Sequence, residues 1–125
     1  MSVLVDSSVW VDYLRGAGDT DAVDFLIDEG LVVTNDLILA ELIPALAVRR
    51  RRRVILLLKA LKTYRLAPDW DGIVEMQISC LRRGVRGVGI PDLLIAQNAM
   101  QNGLDLFTRD RHFAELAEHV PLSLW

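Results

Sequence analysis

Val3-Leu4-Val5-Asp6-Ser7-Ser8-Val9-Trp10 begins almost at the first residue and changes period in its middle. Val3 to Val5 form a short apolar run of β type, and a helical pattern starts near Ser8 and continues to Leu14, so Asp6 falls at the C-terminal end of a strand. The same alternation recurs along the chain. Further strands are expected at residues 31–34, 64–67, 104–107 and 121–124, and helices at 8–14, 20–28, 36–48, 54–62, 69–84, 91–101 and 110–119. Strands separated by helix-length connections predict an α/β fold, with a parallel sheet of four to five strands and helices on both faces. In such sheets ligands bind beyond the carboxyl ends of the strands, near the point where strand order reverses.

Four carboxylates stand alone at the edges of apolar stretches: Asp6, Glu41, Asp92 and Asp110. Glu41 is the only ionisable residue between Leu37 and Val48, and Leu37, Ile38, Pro44 and Ala45 lie one helical turn from it, so its charge emerges from an apolar stripe. Asp92 follows Pro91 in the first turn of a helix, and Asp110 follows the run Leu104-Asp105-Leu106-Phe107-Thr108. Those last two positions equally suit ordinary capping and dipole chemistry. Burying an unpaired carboxylate costs several kcal/mol, so four in such settings point to bound cations. At about 5 Å and an effective dielectric near 20, each pair would repel by about 3 kcal/mol. An all-oxygen donor set suits Mg²⁺ or Mn²⁺ rather than zinc.

The 125 residues fit one domain, 1–125, and the composition of 52% hydrophobic and 25% charged residues reads as globular. The longest apolar runs, such as residues 54–58, fall far short of the roughly 20 residues of a membrane span, and the start lacks a signal peptide's basic region. The expectation is a cytoplasmic protein with no membrane contact. Cys80 is the only cysteine, which excludes an internal disulfide and a Cys-rich zinc site, and its setting is that of a core residue. A net charge of −3 gives no global attraction to nucleic acid, so any such contact needs local positive charge.

Arg49, Arg50, Arg51, Arg52 and Arg53 supply that charge. Five consecutive residues turn through more than a helical circle and cannot all face one ligand, so a solvated helix junction explains the run as well as phosphate contact does. Arg82, Arg83 and Arg86 could extend the patch. Asp19, Asp21, Asp24 and Asp28 read as a solvated helix face, Pro44 should kink its helix, and Gly84, Gly87 and Gly89 should end a helix before Asp92. His112 and His119 read as surface or capping residues rather than ligands. Residues 54–58 with Leu61 offer more apolar side chains than one helix face buries, and so a surface for a partner.

The stretches Val3-Leu4-Val5-Asp6-Ser7-Ser8-Val9-Trp10, Ala40-Glu41-Leu42, Ile90-Pro91-Asp92-Leu93-Leu94-Ile95-Ala96 and Phe107-Thr108-Arg109-Asp110-Arg111-His112-Phe113 give the chain a resemblance. It resembles the PIN-domain ribonucleases, most closely the VapC-type toxins of prokaryotic toxin–antitoxin pairs, with the fragments in family order across nearly its whole length. The resemblance implies a three-layer α/β/α domain that cuts RNA. It implies that Asp6, Glu41, Asp92 and Asp110 bind Mg²⁺, with Mn²⁺ as a substitute, and that Ser7 and Thr108 support them. It further implies an antitoxin partner and a homodimer. Pro44 and His112 depart from the family pattern, and neither removes a member of the quartet. A receiver or phosphatase-like domain also places an acid after its first strand, but a phosphatase wants a second Asp where Ser8 stands, and neither explains Glu41. A silent protein-interaction domain stays open on sequence alone.

Overall fold

The computed structural model describes residues 1–125. Twelve elements follow one another: β1 (Val3–Val5), α1 (Ser7–Leu14), α2 (Thr20–Asp28), β2 (Val32–Thr34), α3 (Asp36–Val48), α4 (Arg52–Ala60), β3 (Lys62–Thr63), α5 (Trp70–Arg82), α6 (Ile90–Gln101), β4 (Asp105–Phe107), α7 (Arg111–Ala117) and β5 (Ser123–Leu124). The strands form one parallel sheet in the order β3-β2-β1-β4-β5, the middle layer of a three-layer α/β/α domain. Val3, Leu4 and Val5 are completely buried, as a central parallel strand covered on both faces requires. The chain moves outward from β1 through β2 to β3 and then returns to the other side of β1 with β4. The order therefore reverses between β1 and β4, and the crevice lies where Asp6 and the 108–110 segment leave the sheet.

The expected elements are all present, with shifted ends. The largest shift concerns β3, which pairs at Lys62 and Thr63 rather than at residues 64–67. Helix α4 stops at Ala60 and Leu61 is already extended, so the chain reaches the sheet edge early. Tyr64 N–H still donates to the Thr34 carbonyl (2.9 Å), but beyond it side chains of α6 replace the sheet. The Asn98 amide donates to the Tyr64 and Arg65 carbonyls (3.3 and 3.2 Å), and the Gln101 amide donates to Ala67 (3.0 Å). Asn98 also accepts from Asn35 Nδ2 (3.1 Å), while Asn35 Oδ1 caps α3 at Ile38 N–H (2.8 Å). Both asparagines are sealed from solvent, at 0% and 1% exposure, so each bond lost would leave a buried polar group unpaired. Asn98→Ala should therefore lower unfolding stability by about 2 kcal/mol, read as a shifted urea midpoint at unchanged slope.

Helix α3 continues through Pro44 to Val48 as one element. In α4, Leu58 is buried and Val54, Ile55 and Leu61 pack half-buried on the core, so only Leu56 and Leu57 of the expected partner surface stand free. Gly84 ends α5 with a left-handed backbone (φ +69°), as its position implies. Gly87 has a different reason. An added Cβ there would come within 2.5 Å of His112 Nε2, so only glycine lets this loop close over the imidazole.

Candidate active site

The crevice is built by residues that leave the sheet at β1 and β4. The Asp6 N–H donates to the Phe107 carbonyl (2.9 Å), and its own carbonyl accepts from Val9 and Trp10 at the start of α1. Its side chain is 4% exposed, and Oδ2 accepts from two hydroxyls, Ser8 (2.8 Å) and Thr108 (2.9 Å). Each hydroxyl is itself held by a backbone donor: Arg109 N–H reaches Ser8 Oγ (3.1 Å), and Asp110 N–H reaches Thr108 Oγ1 (3.0 Å). The turn after β4 is thus laced to the acid after β1. Thr108, one of the two hydroxyls the resemblance names, is the one that donates to Asp6. Ser7, the other, donates weakly to Glu41 Oε1 (3.4 Å), and Ser8, a hydroxyl not expected among the supports, reaches Asp6. The two-residue spacing from Asp6 at the head of a helix is the signal that could have found Ser8.

The other acids are fastened in the same one-sided way. Asp92 Oδ2 accepts from the Gly89 N–H at the start of α6 (3.0 Å). Asp110 Oδ1 caps α7 by accepting from the His112 N–H (3.0 Å) and also meets His112 Nδ1 (2.8 Å). In all four carboxylates one oxygen carries every hydrogen bond and the other carries none. The oxygens without bonds are Asp6 Oδ1, Glu41 Oε2, Asp92 Oδ1 and Asp110 Oδ2. No Lys or Arg pairs with any of the four; the only salt bridge to an arginine, Arg109 to Asp12 (3.1 Å), lies beside them.

The carboxylates feel one another. Loss of hydration raises the Glu41 pKa above the usual carboxylate value, the charges of Asp6 and Asp92 raise it further, and Ser7 opposes them. Asp92 is also raised, first by loss of hydration and then by Asp110 and Asp6, against the Gly89 hydrogen bond and His112. Coupling of each of these two acids to two others places the quartet in one electrostatic neighbourhood. The expectation of four buried charges is corrected, however: Asp6 alone is buried, Asp92 and Asp110 are half-buried, and Glu41 is exposed as a residue even though neighbouring atoms crowd its carboxylate. A crevice at the sheet edge leaves these acids open to water, which the apolar sequence around them did not reveal.

No three His, Cys, Asp or Glu side chains stand close enough together to hold a metal ion between them. That spacing is compatible with Mg²⁺, which is commonly held by one or two carboxylates and keeps several waters. The free oxygens, the absence of competing cations and the all-oxygen chemistry fit such an ion.

The arginine run divides on the structure. Arg49 closes α3, Arg50 takes a left-handed backbone (φ +57°) between the helices, Arg51 precedes α4, and Arg52 and Arg53 lie in its first turn. Of the run only Arg49 and Arg51 line a cavity of about 170 Å³ beside Glu41, the one member of the quartet that reaches it, together with Arg15 and an apolar floor of Val11, Leu14, Leu42, Ala45 and Leu46. His112, expected at the surface or as a cap, stands within the site as the partner of Asp110.

A parallel α/β/α domain with an acidic crevice at its reversal point is the class defined so far. The sequence matches the PIN domain family over residues 3–119, and the chain belongs to that family. Among curated proteins none matches significantly. Similar solved structures include VapBC2 from Rickettsia felis bound to a DNA fragment from the promoter (TM-score 0.77, 18% identity, 100% of this chain and 98% of that one). DNA-bound VapBC from Salmonella typhimurium is similar at TM-score 0.75 and 18% identity, over 100% and 97% of the two chains. Mycobacterium tuberculosis VapC20, described as a sarcin-ricin loop cleaving toxin, is similar at TM-score 0.64 and 17% identity, over 98% and 99%. The fold is shared with chains of these toxin–antitoxin systems. The receiver reading fails on topology, because receiver-like sheets run 2-1-3-4-5 rather than 3-2-1-4-5.

Proposed function

We propose that the protein is a metal-dependent endoribonuclease that hydrolyses RNA phosphodiester bonds and acts as the toxin of a toxin–antitoxin pair. The observation that carries this reading is the quartet of carboxylates, each anchored through one oxygen and open at the other. Asp6, Glu41, Asp92 and Asp110 would hold Mg²⁺, or Mn²⁺ in its place, through those open oxygens. When bound, such an ion supplies Lewis-acid stabilisation of charge on the phosphoryl oxygens and a nucleophile from water. Ser8 and Thr108 fix Asp6 against rotation, and Ser7 steadies Glu41. His112 holds one oxygen of Asp110 and so orients the other. Relatives solved as VapBC complexes support an antitoxin partner, and the resemblance to their class supports a homodimer. No helix is long and apolar enough to cross a membrane, in keeping with a cytoplasmic site of action.

Arg15, Arg49 and Arg51 would take RNA phosphates beside Glu41, since guanidinium groups bind phosphate without reading bases. Arg49→Gln with Arg51→Gln should weaken binding of catalytically silenced protein to RNA and reduce the salt slope by about 1 to 2, whereas Arg50→Gln should leave the slope unchanged. Filter binding across a salt series checks this. Sequencing RNA ends after brief expression tests the function itself: new ends bearing 5′-phosphate and 3′-hydroxyl, suppressed by the product of the neighbouring open reading frame, are the expected result. Growth and RNA unaffected by expression would reject the toxin reading.

A further inference from the structure

The loop that joins α5 to α6, residues 83–89, borders the crevice at two points. Gly87 packs against His112, whose Nδ1 lies 2.8 Å from Asp110, and the Gly89 N–H donates to Asp92 (3.0 Å). The loop thus touches Asp92 directly and Asp110 through its histidine. Arg83 opens the loop and Arg86 stands in its middle, while Arg82 still belongs to α5. All three are exposed, and none pairs with a carboxylate. A chain spans at most about 3.6 Å per residue, so the Arg86 Cα lies within about 11 Å of the glycine that holds Asp92.

Sheet order gives these cations a side. Asp6 leaves β1, the middle strand; Glu41 lies on α3, which follows β2 on one flank of β1, and Asp110 follows β4 on the other. Arg49 and Arg51 stand beside Glu41, whereas Arg83 and Arg86 belong to the loop that touches Asp92 and His112. Four carboxylates repel a polyanion, so cations at the margins decide how firmly one is held across them. A phosphate chain cut at the acids meets a pair of arginines on each flank.

We propose that Arg83 and Arg86 bind RNA phosphates on one side of the scissile bond, opposite the side held by Arg49 and Arg51. This rests on the nuclease reading and adds to it the path of the substrate across the acids. RNA, rather than a protein, is assigned to the loop because its backbone is fastened to the acids over which the phosphate chain must pass.

Steady-state cleavage of a mapped RNA with Mg²⁺, and of two RNAs trimmed close to the cut on its 5′ or its 3′ side, tests the path. On the full RNA, Arg83→Gln with Arg86→Gln should raise KM at least about fivefold and keep kcat within about twofold of wild type, because distant phosphate contacts hold ground and transition state alike. Lys59→Gln should leave KM unchanged, since Lys59 lies in the last turn of α4, where the chain enters the start of β3 at the edge of the sheet away from the crevice. The effect of the loop pair should vanish on one trimmed RNA and persist on the other, and Arg49→Gln with Arg51→Gln should show the reverse. Circular dichroism melts of the loop pair should match wild type, as both side chains are exposed. A KM no different from that of Lys59→Gln, or both pairs answering to the same trimmed end, would overturn the proposal. Unchanged KM with weaker capture of the product of the neighbouring open reading frame would give the loop to a protein partner instead. Wild type that cuts no RNA would overturn the nuclease reading and this path with it, whereas cleavage that ignores the loop removes the path alone.

Discussion

Asp6→Asn should lower RNA cleavage by at least about a hundredfold, corresponding to about 3 kcal/mol of lost transition-state stabilisation, while the protein stays folded. Asparagine keeps the shape of the side chain and one carbonyl oxygen, so the hydroxyls of Ser8 and Thr108 retain an acceptor. The charge is what goes. Asp105→Asn is the matching control, because Asp105 lies on β4 next to β1 but accepts from Ser123 (2.7 Å) outside the crevice, and it should leave cleavage unchanged. Single-turnover rates on a mapped RNA substrate give the comparison. Asp6→Asn within threefold of wild type would remove this carboxylate from the chemistry.

The second large effect concerns stability. Glu41 and Asp92 bind protons more readily in the folded chain than their ordinary values allow, so both destabilise the metal-free fold once ionised. The sign is that of a raised carboxylate: stability is greater below the ordinary pKa, falls as pH rises through the elevated one, and stays reduced at neutral pH. Asp92→Asn removes one charge of the cluster and keeps an acceptor for the Gly89 N–H. In EDTA at neutral pH it should melt several degrees above wild type, a shift of about 1 kcal/mol in a domain of this size. Millimolar Mg²⁺ or Mn²⁺ should then raise wild type more than the variant and narrow or reverse the gap. Thermal scans in which metal moves both proteins equally would show that Asp92 holds no ion.

Much of this was legible in the sequence for a physical reason. A central parallel strand must be apolar on both faces, so Val3-Leu4-Val5 announced both the strand and the position of Asp6 at its end. Sheet topology then carried Asp110 to the same crevice. What the sequence hid were matters of register and side-chain competition. The β3 segment looked like a strand at residues 64–67 because its apolar pattern is real, yet Asn98 and Gln101, distant in sequence, satisfy its carbonyls. Local pattern contains no record of such partners. The same holds for His112, which packs against Gly87 across a loop, and for the arginine run, of which only Arg49 and Arg51 line the cavity beside Glu41. Exposure of Glu41 was also hidden, since an apolar stripe in sequence does not say whether a second layer covers it.

The most direct measurement is RNA cleavage by the purified chain on total cellular RNA, with Mg²⁺ supplied, then removed by EDTA, then restored as Mg²⁺ or Mn²⁺. If the quartet is a metal-dependent nuclease site, discrete cuts appear with Mg²⁺, disappear in EDTA and return with either ion, and Asp6→Asn makes none of them. Undiminished cleavage in EDTA, or no new RNA ends under any of these conditions, would contradict it.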